Sequence, residues 1–349
     1  MNKIVNKALF YKEWINVKWV TFLTIIVLFY FKVQGVMSVL NQNKITMRLE
    51  GKVWTDRWFN NGLYKNNSYF FVMVFVVVIL TIILFLGEKT SETQGFIASL
   101  PFTRKQILLN KWFVGVLCLL ISFVVAFIVL SLVYVINFNN LDATLNPYSD
   151  IVKWFLIDTL QYICIFTFMV LAQSFMGNSI VAGIVGAIIL IVPAFIATVV
   201  QDVIVRGSNV SGNIYIIYDK VYSWSLIYTY NLTDQKWVNT EPNSGKEMYR
   251  TFYYTNYKLK LLILFILTCL FLYLAHVSYK KRNLEYNLRL IVFKNLEPVF
   301  SWGFAVCLGL FAGFSFKTDL SVFFILVIAF TILGYFLSKL LLKVLSSTK

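Results

Sequence analysis

Ionisable and metal-binding side chains are scarce in this chain. Its 349 residues include one histidine, four cysteines and 16 aspartates and glutamates, and charged residues make up only 13% of the total. Enzymes need several such groups converging in one place, and the long apolar runs contain no clustered pair of them. This scarcity disfavours a membrane enzyme that acts on lipid or prenyl substrates, and we expect no catalytic residues, no metal site and no cofactor.

Two further absences narrow the range of functions that this chain can have. The chain has no Gly-x-x-x-x-Gly-Lys-Ser/Thr phosphate loop, so it cannot hold ATP by that route. Its four cysteines, Cys118, Cys164, Cys269 and Cys307, stand singly within apolar runs and show no paired spacing. That pattern favours packing over disulfide bonding or metal binding.

Apolar sequence is what the chain has in excess. Hydrophobic residues account for 59% of it, against about 45–50% in soluble domains, and the mean hydropathy is +0.74. They gather in runs of about twenty residues, long enough to cross a hydrocarbon core of ~30 Å as helices. The sequence predicts an all-α polytopic membrane protein with about eight transmembrane helices: Lys18–Leu40, Ser68–Leu86, Trp112–Ile136, Trp154–Met176, Ser179–Gln201, Leu259–Ser278, Val299–Phe316 and Leu320–Lys339.

Three segments outside these runs are long enough to have structure of their own. Met1–Val17 has apolar residues at helical spacing, which predicts an N-terminal interfacial helix before the first span. Asn41–Asn67 and the larger segment 202–257 would lie outside the cell, and neither shows the alternation of a strand. The many aromatic residues of 202–257 favour an interfacial belt; a small external cap over an exit is the alternative, so a gating role stays open.

The basic residues suggest an orientation. The net charge is +15, from 31 lysines and arginines against 16 acids, and the positive residues flank the apolar runs. Such flanks follow the positive-inside bias and contact anionic lipids. Since eight spans bring both termini to one side, we expect cytoplasmic termini. No basic stripe with stacking aromatics stands apart from a span, so no nucleic-acid partner is expected.

The positions of a few residues within or between the runs predict local features of the structure. Lys32 interrupts the first run and should reach the outer surface or face other helices, and Asp158 in the fourth run should be solvated or paired with Lys153. The link of Gly177 and Asn178 predicts a tight hairpin between two spans. The Gly309-x-x-x-Gly313 spacing predicts close helix packing in the seventh span.

The most organised polar segment, 87–105, separates the second and third runs. It begins with an acid and a base, Glu88 and Lys89, and continues through a helix-compatible stretch. Pro101 ends that stretch because it disfavours helical geometry at Leu100. Basic residues, among them Arg104 and Lys111, then return the chain through the lipid headgroups. A short helix in this position could pass motion in a soluble partner to both neighbouring spans.

The order and spacing of these residues resemble the permeases of the ABC type-2 exporter family. Members often carry an acid and a base after the second span, a glycine, the sequence Ser-Leu-Pro-x-Ser/Thr-Arg, and a lysine before the third span. The matching residues are Glu88, Lys89, Gly95, Ser99-Leu100-Pro101, Thr103-Arg104 and Lys111. The resemblance covers a six-span core with its loops, residues 1–278. Residues 279–349, an inner loop and two additional spans, depart from the six-span pattern, although the layout is similar to Ytr-type permeases.

The resemblance implies that this chain and its partners have different roles. Residues 88–101 would be a coupling helix on a separate cytoplasmic ABC ATPase, which alone hydrolyses ATP. A second copy of the permease, or a paralogue, would complete the substrate path in a bacterial cell membrane. The residues implied in ATPase coupling are Glu88, Lys89, Glu92, Gly95, Leu100, Pro101, Arg104 and Lys111.

The resemblance favours an exporter of a hydrophobic or antimicrobial peptide, or of another amphiphile, with a role in antimicrobial resistance. A non-transporting membrane anchor or sensor for antimicrobial peptides is the alternative. Whether the permeases form a homodimer or a heterodimer stays open, as does the role of the last two spans.

Overall fold

The computed structural model describes residues 7–50, 58–64, 68–87, 89, 102–141, 146–207, 233–239, 248–254, 256–282, 290–316 and 319–347. Within these ranges the chain forms ten α-helices and two strands. In chain order they are α1 Lys7–Leu28, α2 Gln34–Glu50, α3 Trp58–Tyr64, α4 Tyr69–Leu86, α5 Arg104–Ile136, α6 Ser149–Phe175, α7 Ser179–Gly207, β1 Thr233–Asn239, β2 Met248–Tyr254, α8 Tyr257–Lys281, α9 Glu297–Ser315 and α10 Leu320–Ser347.

The eight predicted spans are confirmed as helices. Eight stretches of the described chain are long and apolar enough to cross a membrane, and each contains most or all of one predicted run. Several helices extend past the apolar run, most clearly α5, which begins at Arg104 rather than near Trp112. The all-α polytopic fold class is therefore confirmed.

The N-terminal helix differs from the prediction. α1 continues from Lys7 through a π-helical turn, Phe29–Val33, into α2 without a break. Within residues 7–50, no interfacial helix is set apart from the first span. The physical reason is that the stretch contains no proline and that Glu13 is buried against the protein rather than facing water. The same continuity makes residues 41–50 helical, in a segment that was expected to lie outside the cell.

The segment 202–257, which was predicted to be external, contains a hairpin that was not expected from its sequence. β1 and β2 pair antiparallel, with Thr233 opposite Tyr254 and Asn239 opposite Met248. The second strand is rich in aromatic and β-branched residues, which favour strands, but these aromatics were assigned to an interfacial belt. At its end, the Tyr254 ring packs edge-on against the Tyr64 ring of α3, with centroids 5.0 Å apart.

The chain folds into two compact units. The first comprises 1–80, 109–167 and 230–270, and the second 81–108, 168–229 and 271–349. The core of the first unit is aromatic. The centroid of the Tyr162 ring lies 5.9 Å from that of Tyr69 and 5.8 Å from that of Phe123. Trp154 is also fully buried.

In the second unit, the last two helices pack closely on each other. A Cβ atom at Gly313 would lie 2.7 Å from a methyl carbon of Val327, and one at Gly334 would lie 2.9 Å from the Cα of Ala305. A Cβ at Gly309 would overlap the hydroxyl of Thr331. The predicted packing role of Gly309 and Gly313 is therefore confirmed.

Apolar contacts fix this pair of helices to α7 and to the turn before it. Phe195 in α7 packs edge-on against Phe314, with ring centroids 6.2 Å apart. At the other end, a buried cluster includes Met176, Ala182 and Ile291, and Phe300 and Leu342 pack against it. The predicted hairpin is also present, since only residues 176–178 separate α6 from α7.

Candidate functional site

Three of the eight residues assigned to ATPase coupling lie in the described part of the chain. These are Lys89, Arg104 and Lys111. The other five, Glu88, Glu92, Gly95, Leu100 and Pro101, lie outside the described residues, as does nearly all of the predicted coupling helix. The structure describes Lys89, near the start of this segment, and Arg104, just beyond its end.

Lys89 lies just beyond the end of α4 and is directed into the protein. Its side chain is buried, and its ammonium donates hydrogen bonds to the backbone carbonyl (2.9 Å) and the side-chain Oε1 (2.6 Å) of Gln173. The ammonium also lies 5.7 Å from the ring centroid of Phe85. A buried ammonium needs such acceptors because the cost of removing it from water is otherwise not offset.

Gln173 extends this contact to the start of α7. Its side-chain Nε2 donates to the carbonyl of Ser179 at 2.9 Å. The Ser179 hydroxyl lies within hydrogen-bonding distance of Gln173 Oε1 (3.2 Å) and of the Ile82 carbonyl in α4 (3.1 Å). We call Lys89, Gln173 and Ser179 the polar junction, because together they join the ends of α4, α6 and α7.

The carboxyl end of α6 is capped by three separate parts of the chain. The last carbonyls of a helix have no partner within it. Here Gln173 O accepts from Lys89, Ser174 O from the Ser278 hydroxyl at 3.4 Å, and Phe175 O from the Val292 amide at 2.9 Å. The end of this helix is thus attached to α4, to α8 and to the segment that precedes α9.

Arg104 caps the carboxyl end of α8 in a similar way. Its Nη1 donates to the carbonyl of Arg282 at 2.6 Å and to that of Lys280 at 3.2 Å. α8 ends at Lys281, so the guanidinium meets the last carbonyls of this helix and the negative end of the helix dipole. Arg104 was expected to contact lipid headgroups; these two acceptors are instead backbone carbonyls of the protein.

Lys111 is also inside the protein rather than among the headgroups. It is 2% exposed, and its Nζ lies 3.0 Å from Oε1 of Glu13, which is 3% exposed. The pair joins α5 to α1. An ammonium this deep is stable only with a close counter-charge, which explains why the position differs from the prediction.

Glu13, Gln173 and Ser179 were not predicted from the sequence. Glu13 is the one acidic residue among the first 49, and Gln173 and Ser179 are polar residues near the ends of apolar runs. A polar side chain inside such a run is costly unless it is hydrogen-bonded. That rule could have flagged these positions, although not their partners.

Of the two charged residues nearer the other ends of the helices, Lys32 lies as one prediction had it and Asp158 does not. Lys32 is buried and donates to the carbonyl of Leu63 at 2.9 Å, with its Nζ 4.1 Å from the Tyr69 ring centroid. It therefore faces other helices, one of the two predicted placements. Asp158 is 1% exposed rather than solvated, and Lys153 forms an ion pair with Asp150 at 3.0 Å. The placement predicted for Asp158 was therefore wrong.

Comparison with known proteins identifies the family. The family model described as ABC-2 family transporter protein matches residues 10–284. No curated protein and no solved structure matches the chain. The family match includes the whole segment 88–111 and both members of the Glu13–Lys111 pair, while α9 and α10 lie beyond it. The family inferred from the segment after the second span is confirmed, and the Ytr-type branch stays a prediction. The chain belongs to the ABC-2 transporter family and is a multi-pass membrane permease subunit.

Proposed function

We propose that the chain forms the substrate path of an ATP-driven exporter and is driven through residues 88–101 by a separate cytoplasmic ATPase. The proposal rests on one observation. Lys89, at the start of this segment, and Arg104, three residues beyond its end, are each hydrogen-bonded to the carboxyl end of another membrane helix. A segment anchored in this way would transfer a push from a soluble partner to the spans.

The proposed working cycle is alternating access. Closure of the ATPases on ATP pushes on 88–101 and moves the spans that this segment joins, α4 and α5, so that the path opens outward. Glu88, Glu92, Gly95, Leu100 and Pro101 would contact the ATPase or shape the segment. Lys89 and Lys111 would act from within the protein and Arg104 from its surface, because each is bonded to another helix or to its carboxyl end.

The proposed complex contains two permease chains, identical or paralogous, and two ATPase subunits in a bacterial cell membrane, with cytoplasmic permease termini. A hydrophobic or antimicrobial peptide, or another amphiphile, is the proposed substrate. This choice follows the family resemblance, since fold alone does not set a substrate.

The test is co-purification with the ABC ATPase encoded in the gene neighbourhood, together with ATP hydrolysis by the complex in nanodiscs. We expect the wild-type permease to bind the ATPase and to raise its turnover. The double variant Glu88→Ala, Arg104→Ala should insert normally yet lose the stimulation. A wild-type chain that neither binds nor stimulates any such ATPase would refute the proposal, and a fully stimulating double variant would remove the role of the segment.

Transport is measured separately, as ATP-dependent accumulation of a fluorescent hydrophobic peptide in inverted vesicles. Accumulation supports export. Stimulated ATP hydrolysis without accumulation of any peptide tried would contradict peptide export and favour the sensor alternative.

A further inference from the structure

The polar junction suggests a second route by which the ATPase could move this permease. We propose that Gln173 and Ser179 are positioning residues for energy coupling, and that Lys89 binds the coupling segment to α6 and α7 as well as to α4. The inference rests on the proposed function and adds residues about 80 to 90 positions away from the segment in sequence.

The geometry favours a rigid connection. Lys89 lies three residues beyond the end of α4, and its ammonium holds two oxygens of one residue, the carbonyl and Oε1 of Gln173, at 2.9 and 2.6 Å. Gln173 is fully buried, and its amide group uses both its oxygen and its nitrogen on Lys89 and Ser179. Hence the side chain has one orientation that satisfies every contact.

Burial makes this connection hard to break. Lys89 is 6% exposed, so water cannot readily replace the Gln173 oxygens if the two residues separate. A hydrogen bond to a charged group changes an equilibrium by a factor of about ten or more, and the loss is greater when the charge is left buried. Under a push at residue 88 and beyond, Lys89 and Gln173 would therefore move together, and Ser179 would carry α7 with them.

A purely structural role for the junction makes a different prediction. Lys89 would then be one of three caps on α6, equivalent to Ser278, whose hydroxyl donates to the Ser174 carbonyl. Removing either cap would weaken the helix end without a specific effect on the response to ATP. Only a coupling role makes the response to ATP depend specifically on Lys89, the cap that belongs to the coupling segment.

The experiment measures the response of α6 to ATP. In a cysteine-free complex with its ATPase in nanodiscs, Ser149→Cys places a single thiol at the exposed amino end of α6. The rate of its reaction with a soluble maleimide is compared without nucleotide and with ATP plus vanadate. This comparison is made in the wild-type background and in Lys89→Met, Gln173→Leu, their combination, and Lys89→Arg.

We expect Lys89→Met and Gln173→Leu each to reduce the ATP-dependent rate change at least about fivefold, the lower range of allosteric coupling. The double variant should be no worse than Lys89→Met alone, because both single variants remove the bond between Lys89 and Gln173 Oε1 and Gln173 is proposed to act on the segment through Lys89. Lys89→Arg should retain most of the response, since it keeps donors for both oxygens. Ser278→Ala and the exposed Lys105→Met are the matched controls, and both should respond as wild type does.

Several results would overturn the inference. They are a wild-type response in both single variants, additive losses in the double variant, and an equal loss in Ser278→Ala. If Lys89→Met fails to insert, Gln173→Leu, which leaves every charge in place, decides alone. Co-purification of the ATPase is recorded for each variant. If the wild-type complex itself does not form, the proposed function fails and the inference fails with it; if it forms and responds while the variants also respond, only the inference fails.

Discussion

At the scale of single residues, three buried lysines each connect two parts of the chain. Lys111 joins α5 to α1, Lys89 joins the end of α4 to α6, and Lys32 joins the first membrane helix to α3. Moving such a charge away from its partner is expensive in a low-dielectric interior. These lysines therefore act as fixed links between helices. Removing the partner of such a lysine should break the link as removing the lysine does.

The Glu13–Lys111 pair can be tested through stability. Lys111→Met leaves the Glu13 carboxylate buried without this counter-charge, so we expect a loss of about 3–5 kcal/mol in the free energy of unfolding. Glu13→Leu combined with Lys111→Leu should recover most of it. Lys12 lies 3.8 Å from the same carboxylate but is 53% exposed, so Lys12→Met is the matched control and should change little. Denaturant titration of the purified variants in detergent measures this, and equal effects of Lys12→Met and Lys111→Met would contradict it.

The sequence predicted some of these residues and none of their partners. Lys89, Arg104 and Lys111 could be selected because they surround an unusually organised polar segment. Gln173 lies 84 residues from Lys89, and the carbonyl of Arg282 lies 178 residues from Arg104. A single sequence contains no information on which distant groups meet. Burial of Lys111 was missed for the same reason, since its partner Glu13 was not recognised.

At the scale of elements, hydrophobic runs determined where the helices lie, and their ends were set by other forces. α5 begins at Arg104, well before its apolar run, because Thr103 and Gln106 cap it: the Gln106 amide donates to Thr103 Oγ1 at 3.3 Å and the Thr103 amide to Gln106 Oε1 at 3.0 Å. The strands β1 and β2 were missed because their aromatic residues fit two explanations, and periodicity alone does not choose between them.

The close packing of α9 against α10 depends on glycines, which have no side chain, at the contact between the two helices. Gly309→Val would place new carbons against the Thr331 hydroxyl and within 2.6 Å of the Val327 carbonyl. Overpacking of this kind typically costs about 1–3 kcal/mol, so we expect a lower thermal midpoint in detergent and faster proteolysis of the last two helices. Gly303 has nothing within 4 Å of the position that a Cβ would take. Gly303→Val is therefore the matched control, and an equal loss in that variant would show that close packing at Gly309 is not the cause.

At the scale of the whole molecule, the second compact unit contains the hydrogen bonds on which the coupling proposals rest. It includes the ends of the segment 88–101, the polar junction, the end of α8, and the α9–α10 pair that packs beside the α6–α7 turn. The chain has no phosphate loop, and in the proposed function the energy comes from a separate ATPase. An ATPase can reach these contacts only if residues 88–101 face the cytoplasm, which makes orientation the decisive property of the entire molecule.

Orientation can be measured with single cysteines in a cysteine-free chain. Gln94→Cys lies in the proposed coupling segment and Asn239→Cys at the end of β1, with three spans, α5, α6 and α7, and the external segment between them. An odd number of crossings puts the two positions on opposite sides of the membrane, and the charge bias places 94 inside. In intact cells, an impermeant maleimide should label Asn239→Cys and spare Gln94→Cys, and permeabilised cells should show labelling at both. Labelling of Gln94→Cys from outside would reverse the orientation, and an ATPase in the cytoplasm could then not contact the segment at all.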